Sequence, residues 1–135
     1  MSYHVTIKTE IRDLEAVKAL CREKGWTFHE NKRTFSDPFN ANQPCDHAIN
    51  IGDCGYGTMW KDTELGLCKT PDGKAYLLKC DEMLMRAERL GKGGSHFMQL
   101  YGVHKATHEA KRLGYLVQRK ALPTGAIQLI VTGNL

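Results

Sequence analysis

The chain has 135 residues and a formal net charge of +4, with 41% hydrophobic, 25% charged and 8% aromatic residues. That length suits a single domain, 1–135, whose core can form without staples, and the composition excludes a disordered chain, a collagen-like repeat and a disulfide-dense miniprotein. No apolar run approaches the ~20 residues of a membrane-spanning helix, and Met1-Ser2-Tyr3-His4 has neither a basic nor an apolar leader region, so no membrane partner and a cytoplasmic location are expected.

From Tyr3 to Ile11 the apolar positions alternate: Tyr3, Val5, Ile7 and Ile11 share one face, and His4, Thr6, Lys8 and Glu10 share the other. Period two with one wet face predicts a half-buried strand. Asp13 can then cap a helix in which Leu14, Val17, Leu20 and Cys21 recur at helical spacing, with Gly25 at the C-cap. Trp26 and Phe28 alternate as a second strand. The stretch from Asn31 to Asp46 carries Pro38 and Pro44 and few apolar residues, and reads as a long exposed loop. Ala48, Ile49 and Ile51 form a short strand, followed by the cluster Gly52, Gly55, Gly57.

Leu65 and Leu67, then Thr70-Pro71-Asp72-Gly73, then Tyr76 and Leu78 predict a hairpin around a type I turn. Asp81 opens a short helix with Met83, Leu84, Ala87 and Leu90, closed by Gly91. Ser95 is positioned to cap a longer helix that runs to Leu113 and ends at Gly114. A second hairpin follows: Tyr115, Val117 and Arg119 alternate, Leu122-Pro123-Thr124-Gly125 turns, and Ile127, Leu129 and Val131 alternate on the return. Hairpin-joined strands favour antiparallel pairing, and one wet face per strand favours helices on one side. The expected fold is α+β, a mostly antiparallel sheet covered on one face by two or three helices, a two-layer sandwich.

Charge is uneven. Between Arg86 and Lys120 eight cations face only Glu88 and Glu109, so this third is basic and the rest is near neutral. Such a distribution suits an anionic partner, although a basic face also serves solubility. On the long helix, Val103, Ala106, Ala110 and Leu113 form one stripe, the expected core face. Phe97, Tyr101, His104 and His108 fall within about 60° of one another on another side, with Lys111 and Arg112 beside them. Rings edged by cations can stack on bases or hold phosphates. The same stripe can equally pack on the preceding helix or on a partner subunit.

The metal signals are thin. His104 and His108 are four apart, but Lys105, Ala106 and Thr107 lie between them where a His-Glu-x-x-His motif needs its glutamate. Cys45, His47, Asp53 and Cys54 match no zinc spacing. The five cysteines, Cys21, Cys45, Cys54, Cys68 and Cys80, contain no Cys-x-x-Cys pair and read as reduced thiols. The glycine run from Gly52 to Gly57 lacks the lysine and hydroxyl of a P-loop. The joint from Gly91 to Gly94, with Lys92 inside, precedes a helix N-terminus, where backbone N–H groups can bind an anion. No Gly-x-Ser-x-Gly motif and no spaced acid/base pair identify an enzyme.

Three segments carry a resemblance: Tyr3-His4-Val5-Thr6-Ile7-Lys8-Thr9-Glu10-Ile11-Arg12-Asp13, Phe97-Met98-Gln99-Leu100-Tyr101-Gly102, and Gly114-Tyr115 with Gly125-Ala126-Ile127-Gln128-Leu129. In these the chain resembles a divergent member of the hypothetical chloroplast reading frame thirty-five family, a domain of unknown function of plastid genomes, cyanobacteria, other bacteria and phages. The resemblance implies membership in a family of small proteins and supplies no activity.

These readings lead to a first expectation, a non-enzymatic binding module for an anionic ligand or partner, nucleic acid or a nucleotide. Its candidate ligand-binding residues are Lys92, Tyr101, His104, His108, Lys111 and Arg112, with no catalytic residue, metal or cofactor assigned. A second is an adaptor or homo-oligomer working through a protein partner. A third is a small metal- or histidine-dependent enzyme.

Overall fold

In the computed structural model the described residues are 4–36, 42–52, 62–81, 84, 90–91 and 94–133, with 4–9 described through their backbone. The first strand, β1 (His4–Ile11), is followed by α1 (Leu14–Lys24). Asp13 caps α1 as its sequence position demands: its carboxylate accepts the Ala16 N–H at 3.1 Å. Gly25 closes the helix in the left-handed conformation, φ 72°, which a side chain rarely tolerates.

Next come β2 (Thr27–His29), β3 (Thr34–Phe35), β4 (Gln43–Pro44), β5 (His47–Gly52), β6 (Thr63–Lys69) and β7 (Tyr76–Asp81). The long helix α2 (Ser95–Arg112) and the hairpin β8 (Leu116–Ala121) and β9 (Ile127–Thr132) complete the chain. The main sheet has the order β1-β7-β6-β5-β2, with every neighbouring pair antiparallel. The α+β expectation is therefore met. β1 and β2, joined by α1, lie at opposite edges, and the run from β5 through β6 to β7 fills the space between them.

One face of this sheet meets the helices. Ile49, Ile51, Leu65, Leu67, Leu78 and Cys80 pack there against Ala16, Val17, Leu20 and Cys21 of α1 and Phe97, Leu100 and Tyr101 of α2. Trp26 stacks on Phe97 with ring centroids 6.4 Å apart and planes within 9°. Most of the predicted helix between Asp81 and Gly91 lies outside the described residues; Leu84 and Leu90 are fully buried in this core, and Asp81 ends β7.

The segment predicted as an exposed loop is partly a cover for the other face. β3 and β4 pair, and Phe35 is buried with Cys45 and Ala48. Its ring occupies the space that a Cβ on Gly66 would need. Glu64, buried on β6, ties this segment down: its carboxylate accepts the Ser36 N–H at 3.0 Å and pairs with Lys32. Burying the Phe35 ring is worth about 1.5–3 kcal/mol, enough to draw its segment onto the glycine opposite.

The helix α2 departs from expectation at its start. Gly94 is the cap, at φ 76°, and Ser95 is already inside the helix without a side-chain capping bond. The C-terminal hairpin forms as predicted, with Val117 opposite Val131 and Arg119 opposite Leu129, but as a sheet of its own apart from the five-stranded one.

Candidate functional site

The long helix carries two apolar stripes on nearly opposite sides, and the ring-bearing one, not the expected one, takes the main core. Phe97, Leu100 and Tyr101 face the main core. Val103 and Ala110 are buried outside that cluster, while Ala106 and Leu113 are exposed. Size decides the competition. Each aromatic ring removes some 150–250 Å² from water, several times what an alanine methyl offers, so the ring stripe takes the sheet. Val103 and Ala110 share the side of the helix that carries Gln99, whose side-chain amide donates to the Gly125 carbonyl of the β8–β9 turn at 3.2 Å. The hairpin packs along α2, and Ile127 reaches the main core.

Tyr101 is therefore corrected from ligand-facing to structural. It is 5% exposed, and its hydroxyl accepts the backbone N–H groups of Arg12 at 2.9 Å and Asp13 at 3.1 Å. Phe97, fully buried, is equally unavailable for stacking on a base. Lys92 lies outside the described residues. Further along the same face the helix emerges from the core: His104 and His108 are half-buried, and Lys111 and Arg112 are exposed.

His104 and one cation of β8 converge on a carboxylate that the sequence reading did not single out. Glu23, near the end of α1, accepts His104 Nε2–H at 2.7 Å and is gripped by Arg119, Nη1 to Oε1 at 2.7 Å and Nη2 to Oε2 at 2.9 Å. The Arg119 guanidinium, followed by the His104 bond, holds the Glu23 carboxyl down at about 2 against an ordinary 4.5, in spite of partial desolvation. This cluster joins α1, α2 and β8, and it consumes His104 within the molecule. Arg112 is likewise paired, with Glu109 one turn back. Among the described residues, Lys105, Lys111 and Lys120 form no ion pair. The rings of His104 and His108 lie 6.4 Å apart, and no three His, Cys, Asp or Glu side chains among the described residues converge as metal ligands.

The Cys45 and His47 pair separates. Cys45 packs with Phe35 and Ala48, and its thiol is pushed up to about 12 by burial. His47 sits between the rings of Phe28 and Tyr76. Its Nδ1 accepts the Asn31 N–H at 2.9 Å, so Nε2 carries the proton and donates to the Tyr76 hydroxyl at 3.3 Å. Asp53 and Cys54 lie outside the described residues, as does most of the glycine run after β5. Cys21, Cys45, Cys68 and Cys80 are free thiols.

The distinctive surface is the hairpin itself. Leu113, Tyr115, Leu116, Ile130 and Val131 are the large apolar side chains exposed among the described residues, Leu116 by 66% and Val131 by 51%. All lie between the last turn of α2 and the end of β9. In the register, Leu116 and Ile130 share the outward face as diagonal neighbours, and Val117, Leu129 and Val131 share the face toward α2. The hairpin is thus apolar on both faces at its open end. Reading only one face of each strand left this unseen, although the run Leu129-Ile130-Val131 already breaks the alternation. No helix among the described residues is long and apolar enough to cross a membrane. No family model, no curated protein and no solved structure matches the chain.

Proposed function

We propose that this chain is a non-enzymatic binding module whose C-terminal hairpin docks a protein partner. One observation carries the reading: every large apolar side chain exposed among the described residues belongs to Leu113–Val131. Large apolar side chains left exposed together on one element mark interaction sites. A photo-reactive side chain in place of Leu116 is expected to give discrete protein adducts, and one in place of Lys74, at the exposed β6–β7 turn, none. Equal yields at both positions, or none at Leu116, would refute the reading.

A second reading, an anionic ligand such as nucleic acid or a nucleotide, is favoured by one feature. Lys105, Lys111 and Lys120 are exposed and form no salt bridge among the described residues, and Lys105 and Lys111 share α2 with His108 and Arg112. Retention on nucleic acid should then fall steeply with salt and be weakened by Lys105→Ala with Lys111→Ala. No retention at low salt would remove it. The resemblance to the chloroplast reading frame family belongs to the same proposal and adds no mechanism to it.

A further inference from the structure

We infer that the partner of the hairpin is a second copy of this chain, joined edge to edge through β9 into a four-stranded antiparallel sheet; the inference rests on the reading of the hairpin as a docking surface. The first ground is the hydrogen-bonding state of the strand edge. Leu122 N–H donates to Ala126 O at 2.9 Å, and the register continues through 120/128, 118/130 and 116/132. Antiparallel ladders alternate, so these positions bond within the hairpin. The N–H and C=O groups of Ile127, Leu129 and Val131 then point out along the other edge of β9. That edge meets no further strand among the described residues.

The second ground is charge. Exposed edges are normally guarded by lysine, proline or a bulge. β9 reads Ile127-Gln128-Leu129-Ile130-Val131-Thr132 and has none of these. β8 carries Arg119 and Lys120, and Arg119 is held by Glu23 of α1. A two-fold pairing of β8 with β8 centred on its middle outward residue, as for β9, would set Arg119 directly opposite Arg119, ~5.5 Å apart between Cα atoms. Pairing β9 with β9 sets Leu129 opposite Leu129 and Ile127 opposite Val131. The two β8 strands are then three strand spacings apart, ~14 Å, beyond the ~8 Å screening length at physiological salt. The uncharged edge is therefore self-complementary, and the cationic one is not.

The third ground is stability. A two-stranded sheet is marginal unless something packs on it; α2 packs against this one, and Leu116, Ile130 and Val131 still stay exposed. Doubling it satisfies both edges of the seam. Residues directly opposite in an antiparallel pair project to the same side, so Ile127, Leu129 and Val131 of both copies form one apolar row next to the two α2 helices.

The test is a charge swap at exposed seam-flanking positions. In the proposed register Gln128 of one copy faces Ile130 of the other. The chain carrying Gln128→Lys with Ile130→Lys, and the chain carrying Gln128→Glu with Ile130→Glu, place like charges across the seam without touching the core. Sedimentation at about 100 µM, where a small interface assembles, is expected to give twice 15.2 kDa for the wild type and the monomer mass for each variant. Mixing the two variants is expected to restore the dimer. Wild-type association should hold or tighten as salt rises, opposite to nucleic-acid binding. A wild type that stays monomeric at low and high salt, or a dimer that both variants leave intact, overturns the inference. Where the wild type is monomeric and Leu116 still cross-links to a different protein, self-pairing fails and the docking reading survives. Where Leu116 cross-links to nothing, both fail.

Discussion

Replacing Glu23 by glutamine tests how the hairpin is held on the body. In the wild type Arg119 makes two bonds to Glu23 and His104 a third. Holding the carboxyl at about 2 rather than 4.5 corresponds to at most about 3.5 kcal/mol, at ~1.4 kcal/mol per pH unit. The side chain keeps 30% of its surface in water, and solvent screening brings the expectation to about 1–2 kcal/mol. The folded pKa lies below the unfolded one, so this stabilisation is complete above about pH 4.5 and is lost as the pH falls through about 2. Denaturant unfolding should therefore show Glu23→Gln less stable by that amount near neutrality, with the gap to the wild type closing as the pH approaches 2. Amide exchange should speed up first in β8 and β9. Arg119→Gln should cost a similar amount, and the two losses should not add, because they remove the same contact. A Glu23→Gln protein as stable as the wild type near neutrality, or a deficit independent of pH, would refute the reasoning.

Two further substitutions separate structural from binding roles. Tyr101→Phe leaves the Arg12 and Asp13 N–H groups without their acceptor and should lower stability by about 1–2 kcal/mol; an unchanged unfolding midpoint would remove Tyr101 from the start of α1. Gly66→Ala drives a methyl into the Phe35 ring and should cost about 1–3 kcal/mol. Adding Phe35→Leu should recover part of that loss in a double-mutant cycle, and strict additivity would show that the two residues do not touch.

The candidate site divides by how far its signals reach along the chain. The overhanging basic end of α2 was legible, because Lys111 and Arg112 are exposed whatever the helix packs on. Tyr101 was misread, since periodicity identifies two apolar stripes without saying which one the sheet takes. Glu23 was not legible at all: its partner Arg119 is 96 residues away, and nothing in a local window links the two. Spacing gave His47 no partner beyond a cluster that matches no zinc site; Phe28 of the adjacent strand β2 and Tyr76 of β7, two strands away, are what surround it.

Local signals in the sequence were enough for several elements and their ends: the Asp13 cap, the Gly25 stop, and the Pro-containing turns of both hairpins. Those choices depend on backbone dihedrals and on hydrogen bonds a few residues apart, which the side chains in the same window dictate. Only the tertiary structure decided the strand order, the burial of Phe35 over Gly66, the face that α2 turns inward, and the separateness of the last hairpin. Each of these is a competition between distant segments for the same buried surface, and its winner depends on the area and shape of the groups that meet there.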